Sequence, residues 1–435
     1  MKSTHLSIVL TLSTLFLTGC GGTNTLDNIQ QGALTSLSTP TSTLQRELNP
    51  QASKTELKTL STANNHFAFD VYHYQKQSEG DHFASSYSMY NMLGMLTSGA
   101  QGETKEQMLT AMHLPLENSE DIHRQFNALD MQFARTSDSF EVAIANALWI
   151  QKGISVKEPF LDTITQNYGA STHLIDFEHD NARARVSINN WTSENTAGKI
   201  KELIPQNSLN TETKIILTNA IHLKAKWQHS FSQHDTLYRN FTKIDNSLIQ
   251  VPTMHQKAIF RHKEINGTDL LCMHYHDSEY RLLSMMPEEG KFEEFEKNLD
   301  LAKFKTMLTD PLTEEINLKE KMVDLYYPKF EFENTVNLVE PLKENGMIAA
   351  FGDNADFSNI TNDTTLNISR IIQKTFFKVD EEGTEAATTS AVSVGTTALP
   401  EMTLKFNRPF LFLLCHEPTR TILFLGRVMN PLQTK

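Results

Sequence analysis

Apolar positions recur along this chain in two rhythms, and the rhythm changes partway through. Phe67, Val71 and Tyr74 stand at helical spacing, which predicts an amphipathic helix with order beginning near Asn64. Thr104 with Gln107 makes a capping-box pattern ahead of Met108, Leu109 and Met112. Ala184–Ala197 reads as another helix, with Gly198 near its end. Between and after these the period shortens. Val142–Ile150 and Ile215–Lys226 are apolar, β-branched strand runs, and Asp269–Met286 alternates in β-rich stretches. Two apolar strands close the chain, Leu404–Cys415 and Thr421–Val428, joined by His416-Glu417-Pro418-Thr419-Arg420. Helices crowd the first half and strands dominate the rest. No repeat and no linker interrupts the chain after residue 63, so the pattern predicts one large α+β domain.

Composition adds the ends and the surroundings. Of the 435 residues, 39% are hydrophobic and 21% charged, the balance of a soluble globular protein. A net charge of -13, without a Lys/Arg stripe, argues against a nucleic-acid partner. Residues 1–19 read as an export signal: Lys2, an apolar run from Leu6 to Leu17 too short to span a bilayer, then Thr18-Gly19-Cys20. That ending resembles the bacterial lipobox, which implies a lipidated Cys20 and an anchor in the outer membrane; a plain secretory signal is the alternative. Such an anchor holds a protein at the membrane without threading it through. Residues 20–62 read as the lipidated cysteine and a tether, because a third of positions 21–62 are Ser or Thr and none is aromatic. A flexible chain of that length spans about 35 Å. The folded domain is then expected over 63–435.

Enzyme signatures are missing from this sequence. There is no G-x-S-x-G elbow, P-loop, G-x-G-x-x-G or H-E-x-x-H. His274 and His276 would share one face of a strand, as two metal ligands or as an ordinary polar face, with no third His or Cys obviously placed. No cofactor is expected. Cys272 and Cys415 lie in apolar strand runs and read as core residues, with a disulfide allowed in an exported protein. Sequons at Asn240, Asn266, Asn359, Asn362 and Asn367 read as unglycosylated surface turns.

One segment combines two properties. Residues 381–400 lie between strand-like runs and are polar, the mark of a long and functional loop. Yet no Pro occurs from Glu381 to Leu399, and small, β-competent residues alternate. Thr384, Ala386, Thr388, Ser390, Val392, Val394 and Thr396 make a small, buryable face. Glu385, Ala387, Thr389, Ala391, Ser393 and Gly395 make the face that can meet water. A loop by position and a strand by pattern is a candidate bistable element.

The same segment carries a resemblance. Glu381-Glu382-Gly383-Thr384-Glu385-Ala386-Ala387 resembles the hinge of the serpins, and Phe406-Asn407-Arg408-Pro409-Phe410 with Phe424-Leu425-Gly426-Arg427-Val428 resembles their C-terminal signature. Further similarity runs over residues 64–432, through Asn189, Thr196–Ile200, Leu217–Ala220, Lys226-Trp227, Val251-Pro252, Pro328–Phe330 and Ala355–Ser358. The resemblance implies three β-sheets, about nine helices and an exposed reactive loop. It implies a monomer that traps a target protease as a covalent acyl complex when the cleaved loop inserts into the central sheet; strand insertion of this kind is an established behaviour of the family. Hinge residues by resemblance are Glu381, Gly383, Thr384, Ala386, Ala387, Thr388 and Thr389. Ser85, Ser88, Asn189, Trp227 and Gln373 would lie where the sheet opens, Gln373 standing where the family commonly has a His.

The family's usual loop length, taken from Glu381, places the cut bond at Thr397–Ala398; counting back from Phe406 places it at Ala398–Leu399. Either choice offers a small, uncharged residue, suited to elastase-like or subtilisin-like proteases rather than trypsin-like ones. A non-inhibitory serpin acting as a surface binding protein is the alternative, but such members tend to carry bulky, charged or Pro residues in the hinge.

Overall fold

The computed structural model describes residues 39–116, 122–133, 140–196, 198–276, 279–309, 317–362, 366–384 and 401–432. The most apolar runs become the most enclosed strands. β8 (Tyr280–Pro287) and β15 (Thr421–Val428) are buried at every residue, and β14 (Phe410–His416) at all but Cys415. They belong to a nine-stranded network with the order β1-β15-β14-β8-β7-β6-β9-β13, where β5 also pairs β6. Its other members are β1 (His82–Ala84), β5 (Leu237–Thr242), β6 (Leu248–Ile265), β7 (Thr268–His274), β9 (Lys319–Pro328) and β13 (Met402–Lys405). The long β6 serves two neighbourhoods. It pairs β5 over residues 248–253 and β9 over 253–262, with β13 beyond β9; its last residues, 261–265, join β7. Counted as two sheets sharing β6, these strands and the central sheet make three.

The central sheet is ordered β10-β11-β4-β2-β3, with a short β12 on β4. It comprises β2 (Phe140–Gln151), β3 (Ser171–Ile175), β4 (Ile215–Lys226), β10 (Phe330–Asn337), β11 (Ile368–Val379) and β12 (Gly383–Thr384). Among the described residues there are nine α-helices, and two of them cover the faces of this sheet. α2 (Ser86–Thr97) is buried at every position and packs between β4 and β15. That explains its continuous apolar and small-residue composition, where a surface helix would show one stripe. α6 (Asn181–Asn195) covers the opposite face, with Ala184 and Ile188 packed on Ala147, Trp149, Ile216 and Ile372. α1 (Lys54–Gln75) lies outside α2 and β15. The remaining helices are α3 (Gly102–Ala111), α4 (Ile122–Phe133), α5 (Glu158–Tyr168), α7 (Phe292–Lys297), α8 (Leu301–Leu308) and α9 (Val339–Glu344).

Several expected boundaries move. α1 starts at Lys54, well before Asn64, so the tether does not reach residue 62. The cause is local: Ser53 accepts from the Glu56 N–H while the Glu56 carboxylate accepts from the Ser53 N–H, a reciprocal cap. The pair Thr104 and Gln107 does not cap α3, whose N-cap is Gln101. Thr104 Oγ1 instead accepts from the Asp356 N–H, and Gln107 Oε1 accepts from the N–H groups of Ile348 and Ala349. The expected strand Leu404–Cys415 divides into β13 and β14. Pro409 has no N–H for a ladder, and the chain leaves β9 there to join β8. The strands Val142–Ile150 and Ile215–Lys226 and the hairpin strand Thr421–Val428 are present within a residue or two.

Replacing Ser53 by Ala is expected to cost about 1 kcal/mol, read as a lower urea midpoint at unchanged slope. An unchanged midpoint would mean that this first turn contributes nothing to the fold.

Candidate functional site

The central sheet contains a seam that is only partly closed. β4 and β11 run parallel and pair from Ile215 with Ile368 to Ile221 with Thr375. Both strands continue beyond that point, to Lys226 and Val379, but their mutual ladder stops. The chain turns back after β11, and Gly383 and Thr384 pair antiparallel with Lys226 and Ala225 at the open end of β4. The segment that the sequence marks as strand-competent therefore has Gly383 and Thr384 in the sheet already.

The turn that delivers them is tightly bonded. The Asp380 carboxylate accepts from the N–H groups of Glu382 and Gly383 at 3.0 and 3.3 Å, and the Asp380 N–H donates to Gly383 O at 2.9 Å. Trp227 sits under the turn. Its indole N–H donates to Asp380 O at 2.9 Å, its backbone N–H donates to Glu382 O at 2.8 Å, and its ring stacks on Tyr275 at 4.5 Å. The Tyr275 hydroxyl lies 2.7 Å from Thr384 Oγ1, and Thr384 is 1% exposed. Burial pushes the Tyr275 hydroxyl up, so it stays neutral and free to donate or accept. Gly383 adopts φ +153°, and a Cβ there would fall 1.8 Å from Ala225 O. Only glycine lets the chain pass this close to β4.

Glu381 is a buried carboxylate with two specific partners. Lys329 Nζ lies 2.7 Å from one oxygen and Thr236 Oγ1 donates to the other at 2.7 Å. Burial alone would raise its pKa, but the hydrogen bonds from Lys329 and Thr236 outweigh that and hold the carboxyl below its usual value. The hinge is thus clamped by charge at Glu381, by aromatic packing at Trp227 and Tyr275, and by sterics at Gly383.

Below the open end, a polar rung crosses the seam. Gln373 on β11, Asn219 on β4 and Asn146 on β2 are direct cross-strand neighbours. Gln373 Nε2 donates to Asn219 Oδ1 at 2.9 Å, and Asn219 Nδ2 donates to Asn146 Oδ1 at 2.7 Å. From below, α2 closes the cluster. Gln373 Oε1 accepts from the Ser85 N–H, Gln373 Nε2 also reaches Ser85 O and Ser88 Oγ, and Ser88 Oγ donates to Asn219 Oδ1 at 2.6 Å. Gln373 is fully buried and uses both its donor and its acceptor ends, with no ionisable proton in the cluster.

Of the residues that the sequence placed at the opening, Ser85, Ser88 and Gln373 converge, and Trp227 lies under the hinge. Asn189 does not join them. Its amide bonds the backbone of Leu203 and Ile204 on the α6 side of the sheet. The position expected of it belongs to Asn219, which stands opposite Gln373 across the β4–β11 seam. The available signal was an asparagine inside the apolar run Ile215–Leu223, and its partner Asn146 between Ala145 and Ala147. Sequence reasoning also missed Tyr275, Lys329 and Thr236, which reach the hinge from other strands. Ala386, Ala387, Thr388, Thr389, the bond candidates Thr397, Ala398 and Leu399, and Cys20 lie outside the described residues.

The other candidate chemistry is structural. Cys272 and Cys415 are free, because β8 lies between their strands β7 and β14. Adjacent strands stand about 4.8 Å apart, so residues two strands apart exceed disulfide reach. Burial pushes their thiols up to about 11 and about 12. His274 is lowered to about 4 by burial and by the nearby Arg281, Arg261 and His229. Among the described residues no three His, Cys, Asp or Glu gather as a metal site.

Comparison with known proteins places this geometry in context. A family model described as serpin (serine protease inhibitor) matches residues 62–431. An uncharacterised serpin-like protein of Thermococcus kodakarensis is 32% identical, covering 98% of each chain. The leukocyte elastase inhibitor of Sus scrofa is 31% identical over 86% of this chain and 100% of its own. Among solved structures, human thyroxine-binding globulin complexed with its hormone superposes with a TM-score of 0.79 at 30% identity, covering 87% of this chain and 100% of that one.

Two outcomes follow for the site. Gln373→Leu is expected to lower stability by about 2 kcal/mol, since it strands the buried Ser85 N–H away from water; urea unfolding reads this. The second concerns Glu381. Its folded-state value is depressed, so its stabilisation is complete above 4.5, the ordinary glutamate value, and is lost as pH falls through the lower folded value. Glu381→Gln should lower amide protection factors at Gly383 and Thr384 on the order of tenfold at neutral pH and remove the acid-dependent loss. Equal protection in the two proteins would show that the clamp does not hold the hinge.

Proposed function

The chain belongs to the serpin family of serine protease inhibitors, and we propose that it is a single-use inhibitor of elastase-like or subtilisin-like endopeptidases. The observation that carries this reading is the half-open seam, with Gly383 and Thr384 on the free end of β4. A strand continuing from Thr384 would run antiparallel to both β4 and β11. It would exchange one parallel ladder for two antiparallel ones, which are slightly more stable per residue. The face Thr384, Ala386, Thr388, Ser390, Val392, Val394 and Thr396 is small enough to be buried. Burial and net hydrogen bonds could together supply on the order of 10 kcal/mol.

In the proposed reaction the nucleophilic oxygen of the protease attacks the carbonyl carbon of Thr397, or of Ala398 in the longer count. The peptide C–N bond breaks, the next residue leaves as a protonated amine, and the carbonyl remains on the protease as an ester. Insertion then carries the esterified protease along the sheet before water can cleave the bond. Specificity follows from the small residue ahead of that bond, and the similarity to a leukocyte elastase inhibitor supports the same class. The likeness to thyroxine-binding globulin would favour a carrier instead, but the small Thr and Ala residues of Thr384–Thr389 suit insertion.

The same reading includes export and a lipid anchor at Cys20, supported by the lipobox-like Leu17–Cys20, and action as a monomer. Residues 39–53 lie against the domain, so any tether in this reading ends ahead of residue 39.

Purified protein mixed with an elastase-like protease should give a complex that survives SDS, and Thr388→Arg should be cleaved without forming it. Wild-type protein that yields only cleaved inhibitor across serine and cysteine proteases would sink the reading.

A further inference from the structure

Residues 39–53 form a strap ahead of α1 that touches the domain at defined points. Thr39 Oγ1 lies 3.4 Å from His173 Nδ1 on β3, and Ser42 donates to Asp162 on α5. The Glu47 N–H donates to Gln166 O at 3.0 Å, and Asn127 Nδ2 donates to Glu47 O at 2.7 Å. Arg46 goes deepest. Its Nε donates to Asn127 Oδ1 at 3.2 Å and its Nη2 pairs with the Asp130 carboxylate, both on α4.

Asp130 is also the outer end of a buried polar chain. The Tyr87 hydroxyl donates to Asp130 Oδ1 at 3.3 Å and accepts from Asn91 Nδ2 at 3.5 Å. Burial and then the Asp130 charge push the Tyr87 hydroxyl up, so it keeps the proton it donates. Asn91 Oδ1 accepts from Asn146 Nδ2 at 3.0 Å, and Asn146 Oδ1 accepts from Asn219. Asn219 meets Gln373 across the seam. Tyr87 and Asn91 are one turn apart on α2, so one rigid element carries the chain from strap to seam. Each amide spends one end on the next, which fixes its orientation.

We propose that Arg46 is a positioning residue for loop insertion: through Asp130, Tyr87 and Asn91 it locks the amide rung Asn146–Asn219–Gln373, and so sets how readily the β4–β11 seam opens. This rests on the insertion reading above. Opening must break the Gln373–Asn219 bond, because an incoming strand would separate the two. Losing Arg46 leaves a partly buried Asp130 carboxylate without its cation, and the tyrosine and amides leading inward lose their fixed order. The strap is thereby part of the inhibitor's timing and not only a leader to the domain.

The test measures uptake of a labelled synthetic peptide copying residues 384–396 by full-length protein, beside SDS-stable complex formation with protease. Arg46→Ala should take up peptide on the order of three- to tenfold faster than wild type, with Arg46→Lys close to wild type. Asp162→Ala, which frees another strap contact off this chain, should leave the rate unchanged. An Arg46→Ala rate equal to wild type overturns the proposal. So does an Asp162→Ala rate as fast as that of Arg46→Ala, since the strap would then act only by general stabilisation. Wild-type protein that takes up no peptide and traps no protease overturns the insertion reading itself, and this inference with it.

Discussion

A parallel strand pair that stops short of its own ends governs this molecule. β4 and β11 are joined only from Ile215 and Ile368 up to Ile221 and Thr375. Past that point each leaves backbone groups facing a gap that is one strand wide. Buried backbone groups are costly to leave unpaired, so the gap attracts a strand, and Gly383-Thr384 is the nearest available. Both the resting structure and the proposed trap depend on how far that strand goes.

Three kinds of force hold it at two residues. Charge holds Glu381 between Lys329 and Thr236, stacked rings support the turn from below, and the Gln373–Asn219–Asn146 rung keeps the lower seam shut. They differ in what releases them. The Glu381 clamp weakens in acid. The amide rung itself carries no titratable group, so its own bonds do not respond to pH; it reaches the Arg46 strap through Asn91, Tyr87 and the Asp130 carboxylate. A neutral, fully bonded network in a low-dielectric interior is a strong lock while complete, and weakens as a unit when one member is lost.

Much of the fold was legible in the apolar rhythm. Thr421–Val428 is legible because a strand buried at every residue shows as a nearly continuous apolar run. Failures came where a side chain serves a distant segment. Thr104 and Gln107 match a capping pattern, yet bond the backbone near Asp356 and Ile348. Ser53 and Glu56 do form the reciprocal cap, inside a stretch whose composition suggests a tether. The resemblance places Asn189 at the opening, but strand register assigns the seam to Asn219.

By itself the sequence determined the fold class, the family resemblance and the double nature of residues 381–400, because periodicity, side-chain size and the absence of proline are local properties. Only the tertiary structure decided where the sheet is open, that Lys329, Thr236 and Tyr275 meet the hinge, and that a path of polar side chains joins Arg46 to Gln373. Those contacts link residues far apart in the chain. They exist because strand register and helix packing bring them within hydrogen-bond reach, and no local pattern encodes that proximity.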